Sequence, residues 1–238
     1  MKTALPIVIA LAVLAGVAFM VAPYLRTSET KPPVDESAPI STAVEVRTER
    51  IRENETAYTI DVSYPQFAVP SEASAQEGLP FINAQIKEAV TSSVAEFKAL
   101  PPNPPESATP QNSFDGSYDS VYIGPDVVSV KLILSQYTGG AHPLTLVSGL
   151  NYDRATGRQF LQSDAFAMLG LSVEEISAAA TTELKTELGD SMFEEGANTN
   201  PENFSSFVIS ENEITFIFQQ YQVAAYAAGV QEVSFSRK

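Results

Sequence analysis

Hydrophobic and polar positions divide the chain into an apolar N-terminal run, a polar linker and a long segment with strand and helix periodicity. The apolar run extends from Ala4 to Leu25. At about 1.5 Å per residue its helix would be about 33 Å long, close to the hydrocarbon thickness of a bilayer. Lys2 precedes the run and favours a cytoplasmic N-terminus. We predict a membrane-spanning signal anchor over residues 1–26, with a cleaved signal peptide as the alternative.

Residues 27–42 are polar, contain proline and show no periodicity, which is typical of a spacer. Both interpretations of the N-terminus place the following segment, residues 43–238, outside the cytoplasm. The predicted location is the outer side of a bacterial cell membrane, held by a single span, or secretion if the signal is cleaved.

Alternation of apolar and polar residues predicts strands in several parts of residues 43–238. They fall at 43–51, 58–64, 117–123, 127–137, 144–152, 204–209, 214–218 and 233–235. Apolar spacings of three and four predict two long amphipathic helices, one from Phe81 to Phe97 and one from Val173 to Leu188. Ser172 and Glu175 form the signature of a capping box before the second helix.

Hairpin strands with two separate long helices indicate an α+β fold whose sheets are mostly antiparallel. The order strands, helix, strands, helix, strands also suggests two subdomains within 43–238, at about 43–142 and 143–238. This fold would follow the one N-terminal membrane-spanning or signal helix.

The charge of the exported segment narrows the range of partners. The chain has 14 basic and 29 acidic residues, and residues 1–26 contain two of the basic ones and no acid, which leaves a net charge of −17 for the rest. Binding of nucleic acid through phosphate contacts is therefore not expected. Cationic partners would be attracted, most strongly at low salt.

Residue counts also limit the chemistry. The chain has no cysteine and a single histidine, His142, so disulfides, thiolate chemistry and His- or Cys-based metal sites are not expected. No calcium-loop motif is present in the sequence. We predict neither a cofactor nor a bound metal.

The loop after the longest predicted strand is the most distinctive local motif. Tyr137, Thr138, Gly139, Gly140 and His142 fall within a seven-residue stretch, YTGGAHP. Adjacent glycines permit a tight turn with exposed N–H groups, and the histidine is able to bind a ligand or act as a base. A turn braced by its histidine is the simpler interpretation, because the sequence offers no nucleophile motif beside it.

Two further segments are candidates for ligand binding. Glu194 and Glu195 belong to a series of carboxylates that would suit a glycosidase pair, although a solvated, strongly negative face that influences the choice of partner is the simpler interpretation. Tyr221 and Tyr226 lie in YQVAAYAAG, an aromatic and small-residue segment that suits recognition or packing.

In this order, these motifs resemble an extracellular domain family. The resemblance rests on YTGGAH, on Asn151–Asp153 with Thr156–Arg158, on Ile214–Phe216 and on Gln220–Gly229. The family is shared by RsiV-type anti-sigma factors and the non-catalytic N-terminal part of PdaC-type peptidoglycan deacetylases. The resemblance implies an α+β domain at the outer face of a bacterial membrane, which binds lysozyme in the RsiV branch and is associated with the cell wall in others.

Only Met1–Thr3 precede the apolar run, and the sequence ends at Lys238, so neither anti-sigma nor deacetylase activity is expected from this chain. We predict a non-enzymatic, membrane-anchored binding module for a cell-envelope ligand, such as a cationic muramidase (lysozyme) or peptidoglycan. The alternatives are a peptidoglycan-directed enzyme that uses a carboxylate pair and a structural envelope protein.

Overall fold

The structure is a computed structural model that describes residues 44–68, 78–101 and 111–237, all within the compact unit Ala43–Lys238. The predicted membrane span Ala4–Leu25 and the linker 27–42 lie outside these residues. Within the described ranges, every helix is too short or too polar to cross a bilayer.

Strands and helices follow one another closely along the described chain. The first layer contains β1 (Glu45–Asn54), β2 (Tyr58–Ala68), α1 (Leu79–Lys98), β3 (Asn112–Ile123), β4 (Val127–Tyr137) and β5 (Leu144–Asp153). The second layer contains α2 (Gln162–Leu169), α3 (Val173–Leu188), β6 (Phe207–Ile209), β7 (Glu213–Phe218) and β8 (Gln231–Ser236). Short 3₁₀ turns at Gly189–Ser191, Glu194–Ala197, Pro201–Phe204 and Tyr226–Ala228 connect the elements of the second layer.

The first layer is a five-stranded sheet in the order β1-β2-β3-β4-β5. Its strands are antiparallel except for β2 and β3, which are parallel because α1 carries the chain back between them. The buried face of α1 packs on one side of this sheet. It consists of Leu79, Ile82, Ile86, Val90, Val94 and Phe97. Phe81, which the periodicity assigned to this face, is 62% exposed because it lies one position beyond the buried stripe.

The second layer packs on the opposite side of the first sheet and has its own hydrophobic cluster. Its three-stranded sheet has the order β6-β7-β8, and β6 lies on β4 and β5. Ser172 Oγ accepts from Glu175 N–H and the Glu175 carboxylate accepts from Ser172 N–H, so the predicted capping box starts α3.

A buried polar network joins the two layers. The Asn151 side-chain amide donates to the Phe207 carbonyl at 2.7 Å, and Ser129 Oγ donates to Asn151 Oδ1 at 2.7 Å. The Ile209 N–H in turn donates to Ser129 Oγ at 2.9 Å. These side chains satisfy the backbone groups at the edge of β6, which would otherwise be buried without partners.

The predicted α+β class and the mostly antiparallel pairing are confirmed for the described residues. The suggested division near 142/143 does not match the layers. β5 follows that point and completes the first sheet through Asp153, because it pairs with β4 along its whole length. The two layers are also joined by the buried hydrogen bonds of Asn151 and Ser129 to β6.

Candidate functional site

Two loops that are distant in sequence meet at one end of β4 and β5. The first, residues 138–143, connects these two strands, and the second, residues 219–229, follows β7. The His142 ring stacks on Tyr226, with centroids 3.6 Å apart and planes inclined by 17°. His142 Nε2 lies 3.2 Å from the Tyr221 hydroxyl, and the two tyrosine rings are 5.6 Å apart. We call His142, Tyr221 and Tyr226 the aromatic surface.

Both ring nitrogens of His142 have partners in this arrangement. Nδ1 lies 3.1 Å from the Pro143 carbonyl oxygen, which can only accept a hydrogen bond. In the neutral ring the proton therefore resides on Nδ1, and Nε2 accepts from the Tyr221 hydroxyl. The Tyr226 hydroxyl donates to the same Pro143 carbonyl at 3.4 Å. These contacts are those of a residue that braces the two loops against each other.

The glycines of the first loop determine its path. Gly139 and Gly140 have φ values of 96° and 115°, a region that residues with a Cβ rarely adopt. Tyr137 Oη donates to the Gly140 carbonyl at 3.1 Å and closes the loop, while Thr138 is exposed beside the glycines. These residues shape the loop that positions His142.

Tyr221 has a left-handed backbone with φ of 68°, the only positive φ of a non-glycine residue in the described ranges. It lies in a turn closed by a 3.0 Å hydrogen bond from Gln222 N–H to the Gln219 carbonyl. For a residue with a Cβ this conformation costs about 1–2 kcal/mol. The turn nevertheless leaves the Tyr221 side chain 55% exposed. Strained residues that present a side chain to solvent are concentrated at functional sites.

Two glutamines hold the second loop in place. The Gln219 side chain accepts from Val147 N–H at 3.0 Å and donates to the Val147 carbonyl at 2.7 Å, which ties the loop to β5. The Gln222 amide donates to the carbonyls of Gly196 and Asn203, each at 2.9 Å. Their positions alone do not reveal this role, although Gln222 lies within the YQVAAYAAG segment and Gln219 lies two residues before it.

Glu194 and Glu195 lie in the segment that borders the second loop, because Phe193 N–H donates to the Val223 carbonyl at 2.8 Å. The hydrogen bond from Lys185, at 2.6 Å, holds the pKa of Glu194 below its usual value. Glu195 accepts from the Asn198 amide at 3.2 Å. Both carboxylates are exposed and bond to different groups. Both glutamates belong to the segment that contacts the second loop through Phe193 and Val223.

Among the described residues, histidine, aspartate and glutamate nowhere form a group of three that would hold a metal ion. The prediction that the chain binds no metal or cofactor stays a prediction.

Comparison with protein families gives two matches, the first within the first layer and the second mostly within the second layer. Residues 51–145 match the family described as Deacetylase PdaC, and residues 164–238 match one described as Protein of unknown function (DUF3298). The first match ends just after the first loop of the site, and the second contains α3, the acidic segment and the second loop. The aromatic surface therefore combines residues from both matched segments.

Two proteins are similar to this chain in sequence over more than half of its length. The chain is 30% identical over 136 residues, 56% of its length, to the peptidoglycan-N-acetylmuramic acid deacetylase PdaC of Bacillus subtilis, and it spans only 29% of that protein. It is 22% identical to the immunogenic protein MPT64 of Mycobacterium tuberculosis over 189 residues, 79% of this chain and 78% of that one.

Solved structures support the fold. A DUF3298 family member from Bacteroides fragilis superposes with a TM-score of 0.53 and 18% identity, over 82% of this chain and 91% of that one. A family member from Pseudomonas aeruginosa gives 0.51 and 15% identity, over 81% and 91%. At these identities the likeness concerns the fold alone.

Proposed function

Because two parts of the chain match the family models described as Deacetylase PdaC and Protein of unknown function (DUF3298), we propose that it is an extracytoplasmic binding module of the PdaC type that recognises a ligand of the bacterial cell envelope. The observation that carries this proposal is the aromatic surface, which two separate loops build around a strained, exposed Tyr221. Exposed aromatic side chains on a rigid support are characteristic of binding sites, since little entropy is lost when they are covered.

The hydrogen bonds that support the aromatic surface favour a binding site that is already formed before the ligand arrives. Gln219 attaches the second loop to β5, and Gln222 attaches it to the turns of the second layer. His142 connects this loop to the first one. A surface held from three sides keeps its shape before the ligand arrives, which reduces the entropic cost of association.

The charge of the C-terminal part of the domain favours a cationic partner. From Gln159 to Ser236 the sequence contains 12 acidic residues and one basic residue, Lys185. Glu195 lies in the bordering segment, and Arg or Lys side chains of a partner are able both to pair with carboxylates and to stack on tyrosine rings. A basic muramidase such as lysozyme has this chemistry, and the resemblance to the RsiV branch points to the same ligand.

The experiment measures binding of hen egg-white lysozyme to the full-length chain in a mild detergent by biolayer interferometry. We expect saturable binding whose association rate falls as NaCl rises from about 50 to about 500 mM, because the attraction is screened. Tyr221→Ala should weaken binding about tenfold or more, as expected for a central aromatic residue. Phe81→Ala is the matched control, since it removes an exposed aromatic residue on α1.

Charge reversal at Glu194 and Glu195 to lysine should slow association, whereas reversal at Glu88 and Glu96, exposed residues of α1, should have a smaller effect. The same preparations are to be incubated with purified peptidoglycan. If the unchanged protein releases sugar and the Glu194/Glu195 variant does not, the alternative of an enzyme with a carboxylate pair would be favoured. Absence of binding to both lysozyme and peptidoglycan would favour the structural alternative.

Attachment to the outer face of the membrane is part of the proposal. The apolar run Ala4–Leu25 motivates it. Protease added to intact spheroplasts should digest the domain while a cytoplasmic marker protein survives. A domain that resists the protease until the cells are lysed would contradict this location.

A further inference from the structure

The first sheet is covered on one side by α1, while the second layer covers only part of its other side. Gly149 and Asn151 of β5 lie beneath β6, where a Cβ on Gly149 would overlap the Phe207 carbonyl. Farther along β4 toward its C-terminal end, Ile133 and Ser135 line an open groove of about 290 Å³. Among the residues that the structure describes, the half of the sheet face nearer β1 therefore remains uncovered.

A row of polar residues crosses this open half. Each of the five strands contributes one residue, and the strand register pairs this residue with the one contributed by the neighbouring strand. The row consists of Arg52, Asp61, Asp115, Ser135 and Thr145. With strands about 4.8 Å apart, it is about 19 Å long. We call it the polar row, and the groove lies over its centre.

Ion pairs fix the β1 end of the polar row. Asp61 accepts two hydrogen bonds of 2.6 Å from Arg50 and one of 3.2 Å from Arg52. The hydrogen bonds from Arg50 hold the pKa of Asp61 below its usual value, so its carboxylate is ionised and serves as a fixed acceptor at neutral pH. This carboxylate is therefore unsuited to act as a general acid there.

Hydroxyl groups surround the other carboxylate. Asp115 is exposed in the groove, next to Ser63, Ser117 and Ser135. Ser135 Oγ lies 3.0 Å from Thr145 Oγ1, which continues the chain of hydroxyls toward β5. Hydroxyls both donate and accept hydrogen bonds, whereas a carboxylate accepts and a guanidinium donates. The groove thus offers both kinds of group over a short distance.

The charge of this face differs from that of the rest of the domain. Two arginines, Arg50 and Arg52, balance the carboxylates Asp61 and Asp115, although residues 27–238 carry a net charge of −17. A face without net charge gives no electrostatic advantage to a cationic or an anionic ligand. It complements a neutral ligand that is rich in hydroxyl and amide groups.

We propose that the polar row is a glycan-binding face that takes an extended segment of a neutral, hydroxyl-rich polysaccharide. Hydroxyl and amide N–H groups of the sugar donate to Asp115, and the serines pair with the remaining sugar oxygens. The length of the row suits a chain of linked rings better than a single small molecule. This site is separate from the aromatic surface, and it does not depend on the identity of the ligand there.

The experiment titrates the full-length chain, in a mild detergent, with chitotetraose, a neutral soluble oligomer of N-acetylglucosamine, by isothermal titration calorimetry. We expect saturable binding that changes less than about twofold between about 50 and about 500 mM NaCl. The double variant Asp115→Ala/Ser135→Val should bind about tenfold more weakly or worse. Asp119→Ala, which changes another exposed aspartate of β3 away from the groove, should bind like the unchanged protein.

Lysozyme binding by the same samples separates the two proposals. The double variant should retain it if the glycan face is a distinct site, and its circular dichroism spectrum should be unchanged. Should the double variant not fold, Asp115→Asn alone should still weaken chitotetraose binding severalfold. The proposal is overturned if chitotetraose does not bind, or if the folded variants bind it as well as the unchanged protein. Preference for the fully deacetylated, cationic tetramer with strong salt dependence would also overturn it.

Discussion

The strained backbone of Tyr221 leads to a prediction about stability that reverses the usual order of two substitutions. At ordinary exposed positions alanine is more stable than glycine by about 0.5–1 kcal/mol, because glycine loses more entropy on folding. At Tyr221, with φ of 68°, alanine keeps the unfavourable conformation and glycine does not. We therefore expect Tyr221→Gly to be more stable than Tyr221→Ala.

The magnitude follows from the conformational cost. A left-handed conformation costs a residue with a Cβ about 1–2 kcal/mol. Subtraction of the entropy disadvantage of glycine, about 0.5–1 kcal/mol, leaves a difference of about 0.5–1 kcal/mol in favour of glycine. Both variants lose the same contacts with His142 and Tyr226, so these contacts cancel in the comparison. For a domain of this size, 1 kcal/mol corresponds to about 2–4 °C in Tm.

The assay is urea unfolding of both variants, followed by far-UV circular dichroism, with lysozyme binding measured on the same samples. Both variants should bind lysozyme about tenfold more weakly or worse, because both lack the aromatic ring. An alanine variant as stable as the glycine variant, or more stable, would refute the idea that Tyr221 is strained. A glycine variant that is stabilised and still binds lysozyme would show that the strain is unrelated to recognition.

Three further outcomes are expected. Gly140→Val should lower the free energy of unfolding by about 1–2 kcal/mol because of the φ of 115°, even though a Cβ there has open space. A variant as stable as the unchanged protein in urea unfolding would contradict this. Asn151→Ala should cost about 2–3 kcal/mol in the same assay, since it leaves the Phe207 carbonyl buried without its partner, and Asn198→Ala, at an exposed position, serves as its control. Hydrogen bonds from Arg158 lower the pKa of Asp164 in the folded protein. The ionised Asp164 therefore contributes its full stabilisation above the pKa of the unfolded chain, about 4, and this stabilisation is lost as the pH falls through the lower pKa of the folded protein. Asp164→Asn should therefore lower Tm at pH 7 and reduce the loss of stability below about pH 4, and an unchanged acid profile would show that the pair is unimportant.

Local patterns in the sequence determined most of the secondary structure. Period-two alternation located the long strands, and the capping box at Ser172 located the start of α3. Such features depend on neighbouring residues and are readable from the chain itself. The pattern failed at Phe81, and it also missed α2, whose eight residues are too few to establish a helical period. The order of motifs likewise indicated a resemblance to PdaC-type domains, and the family model described as Deacetylase PdaC matches residues 51–145.

The sequence nominated the individual members of the aromatic surface, but only the tertiary structure showed how they meet. His142 and Tyr221 are separated by 79 positions, and no local rule relates them. Their contact exists because the first loop leads directly into β5, and Gln219 ties the second loop to Val147 of the same strand. The polar row is also a product of tertiary structure, since its five members come from five strands and share a face only through register. Sequence alone determines which side chains alternate, whereas pairing between distant strands decides which of them become neighbours.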